Sequence, residues 1–220
     1  MTELSSADIA KDAAAVAAVA LVQDGMRLGL GTGSTAVFMV RRLAERVKAE
    51  GLQLRLAATS QATADLAESL GMKIETLDDI GWLDLTLDGA DELDPDLNLI
   101  KGGGAALLHE KIVACASDRM VVIADGSKVV ETLGAFLLPV EVIPFGWQTT
   151  RELISRVLDD LGLSGRPIIL RQRDDAPVLT DEGNYILDLA LEAIPEPARL
   201  SVALNALPGV VELIPEGAME

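Results

Sequence analysis

Met26-Arg-Leu-Gly-Leu-Gly-Thr-Gly-Ser-Thr35 carries a short apolar strand into a glycine-rich turn, and Ala36 to Glu50 continue with the apolar spacing of a helix. A strand that turns on glycines straight into a helix opens a β–α unit, whose helix must pack back onto a sheet. The same alternation extends outward. Upstream, Ala7 to Gln23 reads as an alanine-rich helix with Gly25 as its stop. Downstream, strands are expected at Leu52 to Ala58, Met72 to Glu75, Leu83 to Asp88 and Arg119 to Ala124, with helices at Ser60 to Leu70 and Ala105 to Ser117. This order predicts a parallel sheet covered on both faces.

After about Leu133 the rhythm changes. Leu138 to Ile143 reads as a strand, Thr149 to Leu161 as a helix, and Pro167 to Leu170 and Tyr185 to Leu191 as strands, with a turn at Thr180 to Asn184. A helix from Pro195 to Leu207 and a strand from Val210 to Ile214 complete a β-α-β-β-α-β series, the order of a small ferredoxin-like α+β unit. The expected fold class is α/β. A catalytic domain over residues 1–132 plus 208–220 would carry a second, smaller domain over 133–207.

Composition narrows the function. A net charge of −17 over 220 residues, with 3% aromatics, disfavours a nucleic-acid partner, which needs a basic footprint or stacking platform. The longest apolar run, Ala13 to Val22, is too short to span a bilayer, so no membrane partner is expected. The first eight residues lack the basic start of a signal peptide, and a cytoplasmic address is the simplest expectation. The single cysteine, Cys115, precludes an internal disulfide and is expected to be a small core residue. An acidic protein can still bind an anionic metabolite where cations and backbone amides gather, which draws attention to Lys11, Lys101 and Lys128.

Three segments carry candidate chemistry. Gly29 to Thr35 lacks the lysine of a P-loop and the third glycine of a dinucleotide fingerprint. It is either a tight turn or an anion site, and the hydroxyls of Thr32, Ser34 and Thr35 favour a monophosphate. Asp88 would end its strand at the C-terminal sheet edge, where ligands of open α/β sheets bind. It opens the run Asp88-Gly-Ala-Asp-Glu92, of which Glu92, together with Asp94 and Asp96, reads as part of a solvated acidic loop. The run lacks the spacing of a calcium loop, and magnesium on Asp88 and Asp91 is the weaker alternative. Lys101-Gly-Gly-Gly104 precedes a helix, so three flexible residues would offer amides to a developing oxyanion. On that helix Glu110 falls in an apolar sector with Leu107 and Val113. Desolvation there would raise its pKa toward that of a useful base, unless it is instead paired with Lys111 or another cation. His109 is the only histidine and neither a base nor a metal ligand is required of it.

Gly31-Thr-Gly-Ser-Thr35, Asp88-Gly-Ala-Asp-Glu92, Lys101-Gly-Gly-Gly-Ala-Ala-Leu107, Glu110-Lys-Ile112, Ile123-Ala-Asp-Gly-Ser-Lys128 and Leu138-Pro-Val-Glu-Val-Ile-Pro144 occur in order. Together they resemble ribose-5-phosphate isomerase, type A, from about Lys11 to Val211. The resemblance implies a Rossmann-like main domain with a smaller α+β domain and the interconversion of ribose 5-phosphate and ribulose 5-phosphate in the pentose phosphate pathway. It implies Glu110 as the base acting between C1 and C2, and Asp88, with Asp91 beside it, handling hydroxyl protons and ring opening. It implies that Lys101 and the amides of Gly102, Gly103 and Gly104 stabilise the enediolate. Substrate contacts would come from Thr32, Gly33, Ser34 and Thr35, from Asp88, Gly89, Ala90 and Asp91, and from Lys128 and Lys11. No cofactor and no metal are expected; the partner is the sugar phosphate, and a homodimer is the default for a small metabolic enzyme.

Past Val211 the resemblance implies a glycine-rich turn and a further strand, where this chain reads Glu212-Leu-Ile-Pro-Glu-Gly-Ala-Met-Glu220. An exposed sheet edge, or one covered by another subunit, is the expectation. Two other readings compete: a sugar-phosphate sensor without catalysis, and a coenzyme A transferase using a glutamate nucleophile. The first has no need to keep Asp88, Lys101 and Glu110 together, and the second would favour a larger chain.

Overall fold

A computed structural model describes residues 5–214; readings that fall on 1–4 and 215–220 lie outside them. In chain order the elements are α1 (Ser6–Val19), β1 (Arg27–Leu30), α2 (Ser34–Glu50), β2 (Arg55–Ala58), α3 (Gln61–Ser69), the single turn α4 (Leu77–Ile80) and β3 (Leu85–Gly89). There follow β4 (Glu92–Leu93), β5 (Leu99–Ile100), α5 (Leu107–Cys115), β6 (Met120–Ile123) and β7 (Leu138–Val142). The remainder are α6 (Trp147–Asp160), β8 (Ile168–Leu170), β9 (Gln172–Arg173), β10 (Ala176–Pro177), β11 (Tyr185–Leu189), α7 (Pro197–Asn205) and β12 (Val210–Leu213).

The chain forms two compact units, residues 5–90 with 109–128, and residues 91–108 with 129–214. The first is built on a parallel sheet in the order β2-β1-β3-β6. Its helices bury one stripe each. On α2 that stripe is Thr35, Ala36, Met39, Val40 and Leu43, the three-to-four spacing of an amphipathic helix, and left-handed Gly51 ends it. Alanines 15 and 18 let α1 approach α2, and the Arg46 guanidinium donates to the carbonyls of Val19 (2.6 Å) and Val22 (3.2 Å) at and just past the α1 terminus. Because β2 and β3 lie on opposite sides of β1, the sheet changes direction beyond the ends of β1 and β3. Ligands of open α/β sheets bind at such a point.

The second unit holds an antiparallel sheet in the order β12-β7-β11-β8, connected β-α-β-β-α-β through α6 and α7. This is the ferredoxin-like order expected from the sequence. Its core lies between the inward residues Leu138, Val140, Val142, Leu187 and Leu189 and the helix residues Ile154, Leu158, Leu200 and Leu204.

Several expectations are corrected. The boundary that assigned residues 208–220 to the main domain fails, because β12 pairs with β7 in the small sheet; residues 91–108 also group with that unit. Met72 to Glu75 forms only one bridge, Ile74 to Leu56, and no strand. The helix expected from Ala105 starts at Leu107, since Ala105 takes a left-handed φ of 63° inside a turn closed by its N–H on the Gly102 carbonyl. Cys115 is exposed and not a core residue, lying at the last turn of α5.

Candidate active site

The functional side chains fall in two groups, one in each compact unit. In the first unit, Leu85 to Leu87 are buried on both faces of the sheet, and Asp88 ends the run with no exposed surface. A carboxylate in that position needs donors. Its Oδ1 accepts from the N–H of Thr32 (3.1 Å) and of Gly89 (2.7 Å). The loop after β1 reaches it because Gly31 has no side chain: a Cβ there would overlap the Asp88 carboxylate and lie 2.6 Å from Asp88 Cα. Gly33, with φ 117°, then serves as N-cap of α2, and Gly33 and Ser34 face solvent. The first turn of α2 therefore presents amides and the Ser34 hydroxyl, with Asp88 directly behind the loop. Gly89 and Ala90 follow Asp88 in partly buried positions.

Thr32 sits in a cluster of hydroxyls that the sequence reading passed over. Its Oγ1 lies 2.7 Å from Thr59 Oγ1, 2.7 Å from Ser60 Oγ and 3.2 Å from Thr63 Oγ1. Thr63 Oγ1 donates to the Gly31 carbonyl at 3.0 Å, and Ser60 caps α3 through the Thr63 N–H. The signal was present in Thr59-Ser-Gln-Ala-Thr63, a capping pattern directly after a strand.

Glu110 lies in the first turn of α5 and is buried, at 3% exposure. That agrees with the apolar sector read from the sequence. Lys11 on α1 and Lys128 in the single 3-10 turn Gly126–Lys128 both act on Asp125. The Asp125 carboxyl is held below its ordinary pKa first by the Ser127 hydroxyl and amide, then by the charges of the two lysines. Two of the three cations named from the sequence thus lie within electrostatic reach of one carboxylate.

In the second unit β4 and β5 form a two-residue hairpin, pairing Glu92 with Ile100 and Leu93 with Leu99. Asp91 immediately precedes one arm and Lys101 immediately follows the other, and the Asp91 N–H donates to the Ile100 carbonyl at 2.7 Å. The open end of the hairpin therefore brings an acid and a buried lysine side by side along the chain path. Asp91 Oδ2 accepts from the Gly103 N–H at 2.7 Å, tying the acid to the glycine triplet. Gly102 is buried and left-handed, while Gly103 and Gly104 are exposed. Arg171 donates Nη1 to the carbonyls of Gly102 (2.9 Å) and Gly103 (3.3 Å), and Asp188 holds it with contacts of 2.8 and 2.5 Å.

Glu92 is not the solvated loop acid expected. It is buried, and its carboxylate accepts from the N–H groups of Gly134 (2.7 Å) and Phe136 (2.5 Å). Asp94 is half-buried and closes the hairpin turn onto Asn98, whereas Asp96 is exposed as read. In sum, Thr32, Gly33, Ser34, Thr35, Asp88 and Gly89 converge in the first unit, and Asp91, Lys101 and Gly102 to Gly104 in the second.

In the first unit a buried acid at a sheet end beside an amide-rich helix start suits proton transfer on an anionic metabolite, and in the second a buried lysine followed by a glycine turn suits the stabilisation of negative charge. Comparison with known proteins agrees. Residues 55–213 match the family model described as ribose 5-phosphate isomerase A, phosphoriboisomerase A. A ribose-5-phosphate isomerase A of Cereibacter sphaeroides is 65% identical over 210 residues, covering 96% of this chain and 80% of that protein. The structure of ribose 5-phosphate isomerase A from Methanocaldococcus jannaschii superposes with a TM-score of 0.86 at 38% identity, over 96% of this chain and 93% of that one. A D-ribose-5-phosphate isomerase in complex with phospho-erythronic acid gives 0.88 at 34% identity, over 97% and 93%. With the fold and the match both extending over most of its length, the chain belongs to the ribose 5-phosphate isomerase A family.

Proposed function

We propose that this chain interconverts D-ribose 5-phosphate and D-ribulose 5-phosphate through an enediolate, with Glu110 as the base. The observation that carries the reading is Asp88, fully buried at the sheet's change of direction and bonded to the amide of the anion-binding loop. Thr32 to Thr35, Lys11 and Lys128 hold the phosphate. Asp88, with Asp91, moves the proton from the anomeric hydroxyl to the ring oxygen as the sugar opens. Glu110 then takes the proton from C2, the C1–C2 double bond forms and negative charge passes to O1. Lys101 and the amides of the glycine triplet stabilise that charge. A hydroxyl proton moves from O2 to O1, Glu110 returns its proton to C1, and the carbonyl stands at C2. The balance needs no oxidant.

Burial of Glu110 supports its role, because a base withdrawn from bulk water exchanges its proton with the substrate and not with solvent. Turnover of ribose 5-phosphate, measured with a chelator present, tests the assignment. Glu110→Gln is expected to lower kcat by about 10²–10⁴-fold and Lys101→Ala by about 10²–10³-fold, both remaining folded by circular dichroism. Near-normal rates in either variant would refute its role, and an inactive folded wild type would refute the isomerase reading. A cytoplasmic location and a homodimer belong to the same proposal. No helix among the described residues is long and apolar enough to cross a membrane, and twofold pairing is the commonest assembly of small enzymes. Sedimentation of the purified protein checks the second.

A further inference from the structure

We propose that Arg171 is a positioning residue that sets the peptide planes of the glycine triplet, so that the Gly104 N–H serves as a donor to the developing oxyanion. The inference rests on the isomerase reading and names a residue from the small sheet's own segment that the sequence motifs do not include.

The geometry is that of two consecutive peptides. No cis peptide occurs among the described residues, so within each peptide the C=O and N–H point in opposite directions. The Gly102–Gly103 peptide is pinned at both ends, its carbonyl by Arg171 and its N–H by Asp91. The Gly103–Gly104 peptide is pinned at its carbonyl by the same Nη1, which turns the Gly104 N–H away from the guanidinium at a solvent-facing position. Glycines hold no such orientation by themselves, since their backbone is the least restricted of any residue. A cation on the two carbonyls also polarises the peptides, making the opposite N–H groups better donors to negative charge.

Arg171 can do this because Asp188 fixes its other face. The pair makes two short contacts, 2.8 and 2.5 Å, and the side chains are 17% and 10% exposed. A planar guanidinium can serve a carboxylate and two carbonyls at once, whereas an ammonium is a single point charge on a flexible stem. Asp188 is held in turn by β11, between β7 and β8. The small sheet thereby acts on the glycine triplet through one side chain.

Steady-state kinetics on Arg171→Lys and on the double variant Arg171→Met/Asp188→Leu test the proposal. The lysine variant keeps the charge opposite Asp188, and the double variant removes both charges, so neither leaves a buried ion unpaired. If the pair only stabilises the fold, both variants turn over like wild type. If Arg171 positions the donor, kcat falls about 10- to 100-fold in both while KM for ribose 5-phosphate changes little. Affinity for phospho-erythronic acid, whose carboxylate stands in for the anionic oxygen, is expected to fall by a similar factor, and affinity for inorganic phosphate to stay constant. Wild-type kcat in either variant, or unchanged affinity for the acid, overturns the proposal. A wild type that binds the acid but does not turn over ribose 5-phosphate sinks the isomerase reading alone, and the acid's affinity then decides the role of Arg171. A wild type that does neither sinks both.

Discussion

Gly31 shows how a single missing carbon can govern a site. Its Cα passes so close to Asp88 that the carboxylate and the loop share hydrogen bonds, and the Gly31 N–H itself donates to the Leu87 carbonyl at 2.9 Å. Gly31→Ala would push the loop off β3 by about an ångström. Overpacking of that kind costs about 1–3 kcal/mol, and displacement of a binding group by that distance costs about 10²-fold in rate. The expected result is a lower Tm and a larger loss in kcat/KM, measured by thermal scanning and turnover. Unchanged kinetics would mean the loop tolerates displacement. The close approach was not itself legible, but its cause was: a glycine in the turn after a strand, within the segment legible as a tight turn or an anion site, and an aspartate ending another strand, legible as a site residue. Arg171 could not be found that way, because its partner carbonyl lies 69 positions away and belongs to the backbone, which leaves no trace in residue type. Glu92 was missed for the same reason, its acceptors being met by amides 42 and 44 positions on.

At the scale of elements, β1 is tied to the segment entering β3 by an ion pair as well as by the ladder. Arg27 meets Asp84 at 2.6 Å through its guanidinium and at 2.7 Å through its backbone N–H. These bonds hold the Asp84 carboxyl below its ordinary pKa of 3.8, the Arg27 side chain first and its N–H next. A carboxylate whose pKa is lower folded than unfolded stabilises the fold above the ordinary value, and that contribution drains away as pH falls through the folded value. Asp84→Asn should therefore lower Tm modestly at neutral pH, and its difference from wild type should shrink as pH falls below 3.8. A difference that is constant from pH 7 to pH 2 would show that the charge is not what matters. Most elements were legible in the sequence because strand and helix periods are local. The β4–β5 hairpin was not, since two residues per arm give no alternation to read. The sheet to which Val210 to Leu213 belongs was also hidden, because strand pairing is decided by distant residues.

Over the whole molecule, the net charge of −17 sets a background against which an anionic substrate must be bound. Like charges on a compact body repel, and salt screens them over about 10 Å at 0.1 M. Raising sodium chloride from near zero to about 0.15 M is expected to raise Tm by a few degrees; a flat or falling Tm would show that local ion pairs outweigh the net repulsion. The lysines follow the opposite logic. Lys11 and Lys128 both act electrostatically on Asp125, so two positive charges are felt at one carboxylate of a unit that carries a net negative charge. The overall class, two units of α/β and α+β type, followed from element order; their exact membership did not, because residues 91–108 join the small unit although residues 109–128 of the first unit intervene, and no composition shift marks either crossing.

The exposed thiol at the end of α5 has a practical consequence. With one cysteine in 220 residues, a maleimide fluorophore would attach at a single address, Cys115, five positions along the same helix from Glu110. Emission from that address would follow the helix carrying the base while substrate is added, without any engineered residue.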